Sequence, residues 1–294
     1  MSNLVQHLID AVSLGSLYAV LAIGIALIFG IMNLINLAYG ELIMVGAFTL
    51  YGLAELPWPL QFVMCLAVTT IAALLMERLA FRPFRGASGP VLLVTSFALS
   101  FALQSLATVI FGSRAKGVAL PDWLDRSISL ASVSFSTLNI ITVVTMIVLV
   151  GGLAGFLRKS MTGVQMRAAA ENFRIARIVG VPADKVIATA FALSGLFAGV
   201  AAILIVAQTG SVTPTIGAGP VLIAFVATIL GGLGSLYGAA FGGFLLGAVT
   251  VLLQVVLPDG LAPYRDAFLY AAVIGVLLFR PQGLVVLRSM AVRV

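Results

Sequence analysis

The sequence predicts an all-α polytopic membrane protein: about eight or nine transmembrane helices in a compact bundle packed through glycine and alanine. Three observations carry this. Of 294 residues 62% are hydrophobic and only 9% charged, against about 25% charged in an ordinary soluble domain. The apolar residues fall into charge-free runs long enough to cross a hydrocarbon core of roughly 30 Å, which takes about 20 helical residues. Small residues recur four positions apart, as in Gly151 and Gly155, Gly195 and Gly199, Gly234, Gly238 and Gly242, and Gly243 and Gly247. In lipid, such stripes let helices approach closely and gain dispersion contacts.

The charge-free runs cover residues 11–40, 57–76, 86–113, 127–157 and 186–258. The last holds 73 residues and as one helix would be about 110 Å long. It must fold back twice, with residues 208–220 and 231–238 as punctuation, and residues 267–279 add a short further span. Between Glu41 and Glu55 only 13 apolar or neutral residues remain. If this stretch crosses the bilayer, the N-terminus is outside; if it is re-entrant or broken, the N-terminus is inside. The first basic residue is Arg78, so the positive n-region of a signal peptide is missing and the apolar N-terminus is expected to be retained. The chain reads as one transmembrane domain, 1–294, with a cytoplasmic segment 158–185 and an external loop 112–137.

Charge sets the orientation. Arg78, Arg82 and Arg85 form one basic cluster, residues 158–185 hold a second, and Arg280, Arg288 and Arg293 a third, together 12 of the 16 basic residues. Even numbers of spans separate them, so all three share one face, which the positive-inside rule makes cytoplasmic. In the remaining loops Arg114, Lys116, Arg126 and Arg265 balance Asp122, Asp125, Asp259 and Asp266. Pro121, Trp123 and Leu124 fit the interface there.

Two groups of polar residues interrupt the apolar background. Ser96, Ser100, Gln104 and Thr108 follow one another at i+4 and make one slowly drifting stripe on a helix. Polar groups in hydrocarbon need partners, so the stripe either glues helices together or lines a path. Asn33, Asn36, Tyr39 and Glu41 form a second island, and an ionisable group at membrane depth is by default a functional candidate. Asn33, Asn36, Tyr39, Glu41, Ser96, Ser100 and Gln104 are therefore the candidate substrate path. Cys65 and His7 are each alone in their kind, which excludes disulfide and zinc frameworks within one chain.

Much chemistry is excluded. None of the three lysines follows a glycine, so a Walker A phosphate loop is absent and any nucleotide hydrolysis must come from another chain. One histidine leaves no room for a Ser/His/Asp triad or a histidine-rich metal site. Ion-coupled secondary transport stays open, with Glu41 as carboxylate or with broken-helix carbonyls in residues 208–220.

The cytoplasmic segment has its own grammar: Thr162 suits an N-cap with Gln165 at N3, and Gly180 followed by Pro182 marks a stop. Between them runs MRAAAENFRIARIVGVPADKV, residues 166–186, read as a helix, a turn and the next span. Its alanines and mixed charges suit docking onto protein better than onto lipid. This stretch resembles the cytoplasmic coupling loop of LivH-type permeases, the membrane subunits of branched-chain amino acid ABC importers. Residues 13–42, SLGSLYAVLAIGIALIFGIMNLINLAYGEL, are similar to that family's first segment, and so are GGLGSLYGAAFGG at 231–243 and FRPQGLV at 279–285. Tyr39 stands where many members have His, which removes a titratable group.

The resemblance implies a multi-pass permease of the bacterial inner membrane that has no ATPase site of its own. Its partners would be a LivM-type second permease, two cytoplasmic ATPases that bind the ATP, and a periplasmic substrate-binding protein. It assigns ATPase coupling to Arg167, Ala170, Glu171, Asn172, Ala176, Gly180 and Lys185. The cargo it implies is branched-chain amino acids, or related amino acids, urea or short amides.

Overall fold

The computed structural model describes residues 2–285 apart from 120, 122, 125–126 and 131–132. Arg126, Arg288 and Arg293 of the basic and external sets, and Asp122 and Asp125, therefore lie outside the described residues. The helices are α1 (Ser2–Met32), α2 (Tyr39–Gly52), α3 (Trp58–Met76), α4 (Gly89–Phe111), α5 (Thr137–Lys159), α6 (Met161–Glu171), α7 (Phe173–Ile178), α8 (Ala183–Thr209), α9 (Ala218–Gly231), α10 (Leu236–Val256) and α11 (Arg265–Phe279). Among the described residues seven apolar helices are long enough to cross a membrane, α11 with the 3₁₀ turn before it. Counting charge-free runs reaches eight or nine because α2 and α9 are also apolar. Each has only 14 residues, about 21 Å, short of the length counted as a full span.

The long apolar run divides as its punctuation predicts, into α8, α9 and α10. Gly210 and Gly232, both at positive φ, end α8 and α9. The centre is α1, packed against α10, α8, α9 and α5. Glycine permits the closest crossings. A Cβ on Gly243 would stand 2.6 Å from Ala19, and one on Gly195 2.6 Å from the Ala73 methyl of α3. Gly247 meets Gly15, Gly199 meets Thr69, and Gly242 meets Ala227. The spacing is not sufficient, however. Gly151 and Gly155 have nothing within 4 Å of their would-be side chains, and Gly234 lies in the turn before α10 at φ 90°. Cys65 is fully buried, its thiol near the carbonyls of Gly46 (3.5 Å) and Gly199 (3.7 Å), the environment of a small core residue.

Contacts fix relative orientation. The Ser13 hydroxyl donates to Asn139 Oδ1 at 3.1 Å, so the start of α1 lies beside the start of α5, whose far end carries Arg158 and Lys159. The start of α1 is thus on the face opposite the basic residues. Arg82 pairs with Asp184 of α8 at 3.1 Å, which puts the first and second basic clusters on one face. Residues after Arg280 fold back onto α9, Leu284 N–H to Leu230 O at 2.8 Å and Val285 N–H to Gly231 O at 3.1 Å. The motifs at 231–243 and 279–285 therefore pack on each other.

The opposite face carries a little β structure that an all-helical reading omits. β1 (Lys116–Gly117) pairs with β4 (Ser211–Val212), and β2 (Ser127–Leu130) with β3 (Val133–Ser136), both antiparallel. Trp123 packs edge-on against Trp58, centroids 5.2 Å apart. Lys116 lies 5.3 Å from the Tyr51 ring.

Candidate functional site

The two polar groups read separately from the sequence meet in one place. α1 ends at Asn33, which adopts φ 50°, a left-handed turn that Asn tolerates better than most residues. Asn33 is exposed and terminates the helix rather than joining the polar group. Residues 33–38 are non-helical, and backbone freed at such a break needs partners where water is scarce. The side chains of Asn36 and Ser96 supply them. Buried Asn36 accepts the Ala38 N–H on Oδ1 at 3.1 Å and directs Nδ2 at Met76 Sδ, 3.7 Å away. The Ser96 hydroxyl on α4 accepts the Leu37 N–H at 3.3 Å and lies 3.3 Å from Ile35 O.

One turn further, α4 reaches Glu41 in the first turn of α2. Glu41 Oε1 accepts from Ser100 Oγ at 2.8 Å and from Gln104 Nε2 at 2.7 Å. The carboxylate is 2% exposed, and its Oε2 has no hydrogen-bond partner among the described residues. Tyr39, fully buried against Gly24 of α1, likewise leaves its hydroxyl without one. Lys and Arg are absent before Arg78, so residues 1–77 supply no countercharge to Glu41. Thr108 leaves the stripe, bonding Gln104 O within its own helix at 2.8 Å. The result is a neutral-donor cradle around one carboxylate, at a helix break, between two apolar elements.

The residues that the resemblance assigns to coupling lie on the basic face. The N-cap is Ser160, not Thr162: its hydroxyl accepts the Gly163 N–H at 2.9 Å. Nor is 162–180 one helix. Asn172 interrupts it and caps α7, Oδ1 accepting the Ile175 N–H at 3.1 Å. Gly180 at φ 90° then turns the chain toward α8, as the Gly-x-Pro stop predicts. Arg167, Ala170, Glu171, Gly180 and Lys185 are exposed, and Asn172 is half-buried. Ala176 is different: it is 4% exposed and, with Met166 and Ala169, holds the segment against the bundle, so it does not present a docking face. Three outward residues were missed from the sequence, Ile175, Ile178 and Val179, the last two 77% and 72% exposed. Large apolar side chains left uncovered among arginines make a surface of the kind that meets a protein or a membrane.

The sequence profile of the family described as branched-chain amino acid transport system, permease component, matches residues 7–277. The chain is 32% identical to the high-affinity branched-chain amino acid transport system permease protein BraD of Pseudomonas aeruginosa, over 95% of this chain and 94% of that one. It is 32% identical to the permease protein LivH of the high-affinity branched-chain amino acid system of Escherichia coli, with the same coverage. A probable branched-chain amino acid permease, LivH of Methanocaldococcus jannaschii, is 26% identical over 93% of this chain and 90% of its own. No solved structure matches the chain.

Proposed function

We propose a function from one premise: the chain belongs to the family of permease components of branched-chain amino acid transport systems. It is a multi-pass membrane permease, and its role is to pass branched-chain amino acids into the cell as the membrane subunit of an ATP-driven importer. Ion-coupled secondary transport is not favoured by its relatives. The finer assignments follow from the same reading. ATP is bound and hydrolysed by two separate cytoplasmic subunits, in keeping with three lysines of which none follows a glycine. A LivM-like second permease completes the membrane part, a periplasmic binding protein delivers the cargo, and the complex resides in the bacterial inner membrane.

The observation that carries the coupling assignment is the uncovered face of α6 and α7. Glu171 and Arg167 offer charge, Ile175, Ile178 and Val179 offer apolar area, and Ala169 and Ala176 anchor the segment from behind. Nucleotide-driven movement of the ATPases is transmitted through this face, since a docked segment makes different contacts in the two states. For the path, the supporting arrangement is the Glu41 cradle at the α1–α2 break. A mostly apolar route with one cluster of polar partners suits a zwitterion with an aliphatic side chain.

The test is uptake of radiolabelled leucine by cells with and without the chain. ATP depletion should abolish chain-dependent uptake, and collapse of the proton gradient alone should spare it. Dependence on the gradient instead would overturn the ATP-driven reading. Absence of leucine uptake would move the cargo to other amino acids, urea or amides.

A further inference from the structure

We propose that Arg85 is a positioning residue that relays movement of segment 158–185 into α4; this rests on the coupling role given to that segment above. α3 runs on into a π-helical turn, Glu77–Phe81, a widened form of helix that is rare and frequent at functional sites. The turn is held to α8 in two ways. Phe81, fully buried, faces Phe191 with ring centroids 5.4 Å apart. The Arg85 guanidinium divides between two carboxylates, Nη2 toward Glu77 and Nη1 toward Asp184, while Arg82 Nη2 meets the other Asp184 oxygen at 3.1 Å.

The placement gives this cluster its meaning. Asp184 sits in the first turn of α8, at the end of segment 158–185. Arg85 precedes Gly86, at φ 103°, and the start of α4. One planar, forked side chain therefore bridges the end of the coupling segment and the base of α4, a geometry that a point charge cannot reproduce. Glu77 is buried and Arg85 mostly so, with side-chain exposures of 6% and 19%, so the inner half of the link is sheltered as an exposed pair is not, while Asp184 at its outer end is 67% exposed. α4 itself is lightly held. Only Leu92, Ser96 and Ala107 along it are buried, and it meets the chain chiefly through α2 and the π-helical turn. A displacement of Asp184 thus acts on the base of a helix whose other fastenings among the described residues all lie on the α1–α2 break and α2: Ser96 on Leu37 N–H, Ser100 and Gln104 on Glu41, and Phe111 stacked on Phe48.

The test uses the assembled complex, with this chain, its second permease and the ATPase subunits in lipid nanodiscs. Spin labels are placed on cysteines at exposed Ala98 of α4 and exposed Glu55 beyond α2; Cys65 is buried and does not react. Pulsed electron resonance then compares nucleotide-free complex with complex trapped by ATP and vanadate. The native pair should change its distance between the two states. Arg85→Gln and Asp184→Asn should abolish the change while ATP hydrolysis and co-purification persist, and Arg85→Lys should keep part of it. Asp184 is largely exposed, so its variant tests the relay without disturbing the interior. An unaltered change in both variants, no change in the native complex, or loss of assembly in both variants would overturn the relay. Failure of the native chain to co-purify with the ATPases would overturn the coupling role as well, and is seen before any label is read.

Discussion

Gln104 Nε2 on α4 donates to Glu41 Oε1 on α2 across 2.7 Å, and Ser100 Oγ shares the same oxygen at 2.8 Å. Each donor removed from a buried carboxylate costs about 1–3 kcal/mol. Ser100→Leu and Gln104→Leu should therefore each lower the thermal midpoint of the purified protein and slow uptake without dissociating the complex. Combining them strips Oε1 of both partners, and the loss should exceed the sum of the single losses. Thermal unfolding and initial uptake rates measure this, and a double variant no worse than either single one would show that the two donors do not hold Glu41 together.

Ser96 acts on backbone rather than on a side chain. Its hydroxyl accepts the Leu37 N–H at the break between α1 and α2, while its own hydrogen has Leu93 O at 2.8 Å and Ile35 O at 3.3 Å to choose between. Ser96→Val withdraws that partner, at an expected cost of about 1–3 kcal/mol, and adds bulk at a buried site, whereas Ser96→Thr adds nearly the same bulk and retains the hydroxyl. Hydrogen exchange at Leu37 should rise in the valine variant and stay near native in the threonine one. Equal exchange in all three forms would mean the break is closed by other groups.

The bundle was legible in the sequence because lipid demands long charge-free helices, and α3, α4, α5, α8 and α10 follow those runs closely. α2 and α9 were not, since apolarity measures solvent and says nothing of where a helix starts within the bilayer. Glycine spacing showed which helices can approach but not which do: Gly195 and Gly151 carry the same pattern, and only Gly195 has a neighbour. The polar stripe on α4 and the island at Asn36 and Glu41 were both visible, but their union needed the fold. In the coupling segment the family resemblance assigned Ala176 to coupling, yet it follows Ala169 by seven residues, about two helical turns, and shares its buried side; Ile178 falls on the opposite, exposed side with Arg167.

The two kinds of glycine separate cleanly by substitution. A Cβ on Gly243 meets the backbone of Ala19 at 2.6 Å, and backbone cannot yield as a flexible side chain can. Overpacking of this kind costs about 1–3 kcal/mol or more, so Gly243→Val should lower thermal stability sharply and reduce the amount of inserted protein. Gly151→Ala adds a methyl into open space and improves helix propensity by about 0.5–1 kcal/mol. It should leave the thermal midpoint unchanged or slightly raised. Comparable losses in the two variants would show that the α1–α10 crossing is not what Gly243 maintains.

Charge and apolar area on the coupling face can be tested apart. Glu171 is exposed at the end of α6 and makes no ion pair among the described residues, so reversing it with Glu171→Lys should leave folding within about 0.5 kcal/mol of native. Ile178, 77% exposed, is equally free of internal packing, and Ile178→Asp should also insert normally. Both should weaken capture of the ATPase subunits, Glu171→Lys with a strong salt dependence because its contribution is electrostatic, Ile178→Asp with little. Co-purification at low and high ionic strength distinguishes them. If both variants retain the subunits and normal coupled hydrolysis, the face of α6 and α7 does not dock, and the role assigned to Arg167, Ala170, Glu171 and Lys185 falls with it.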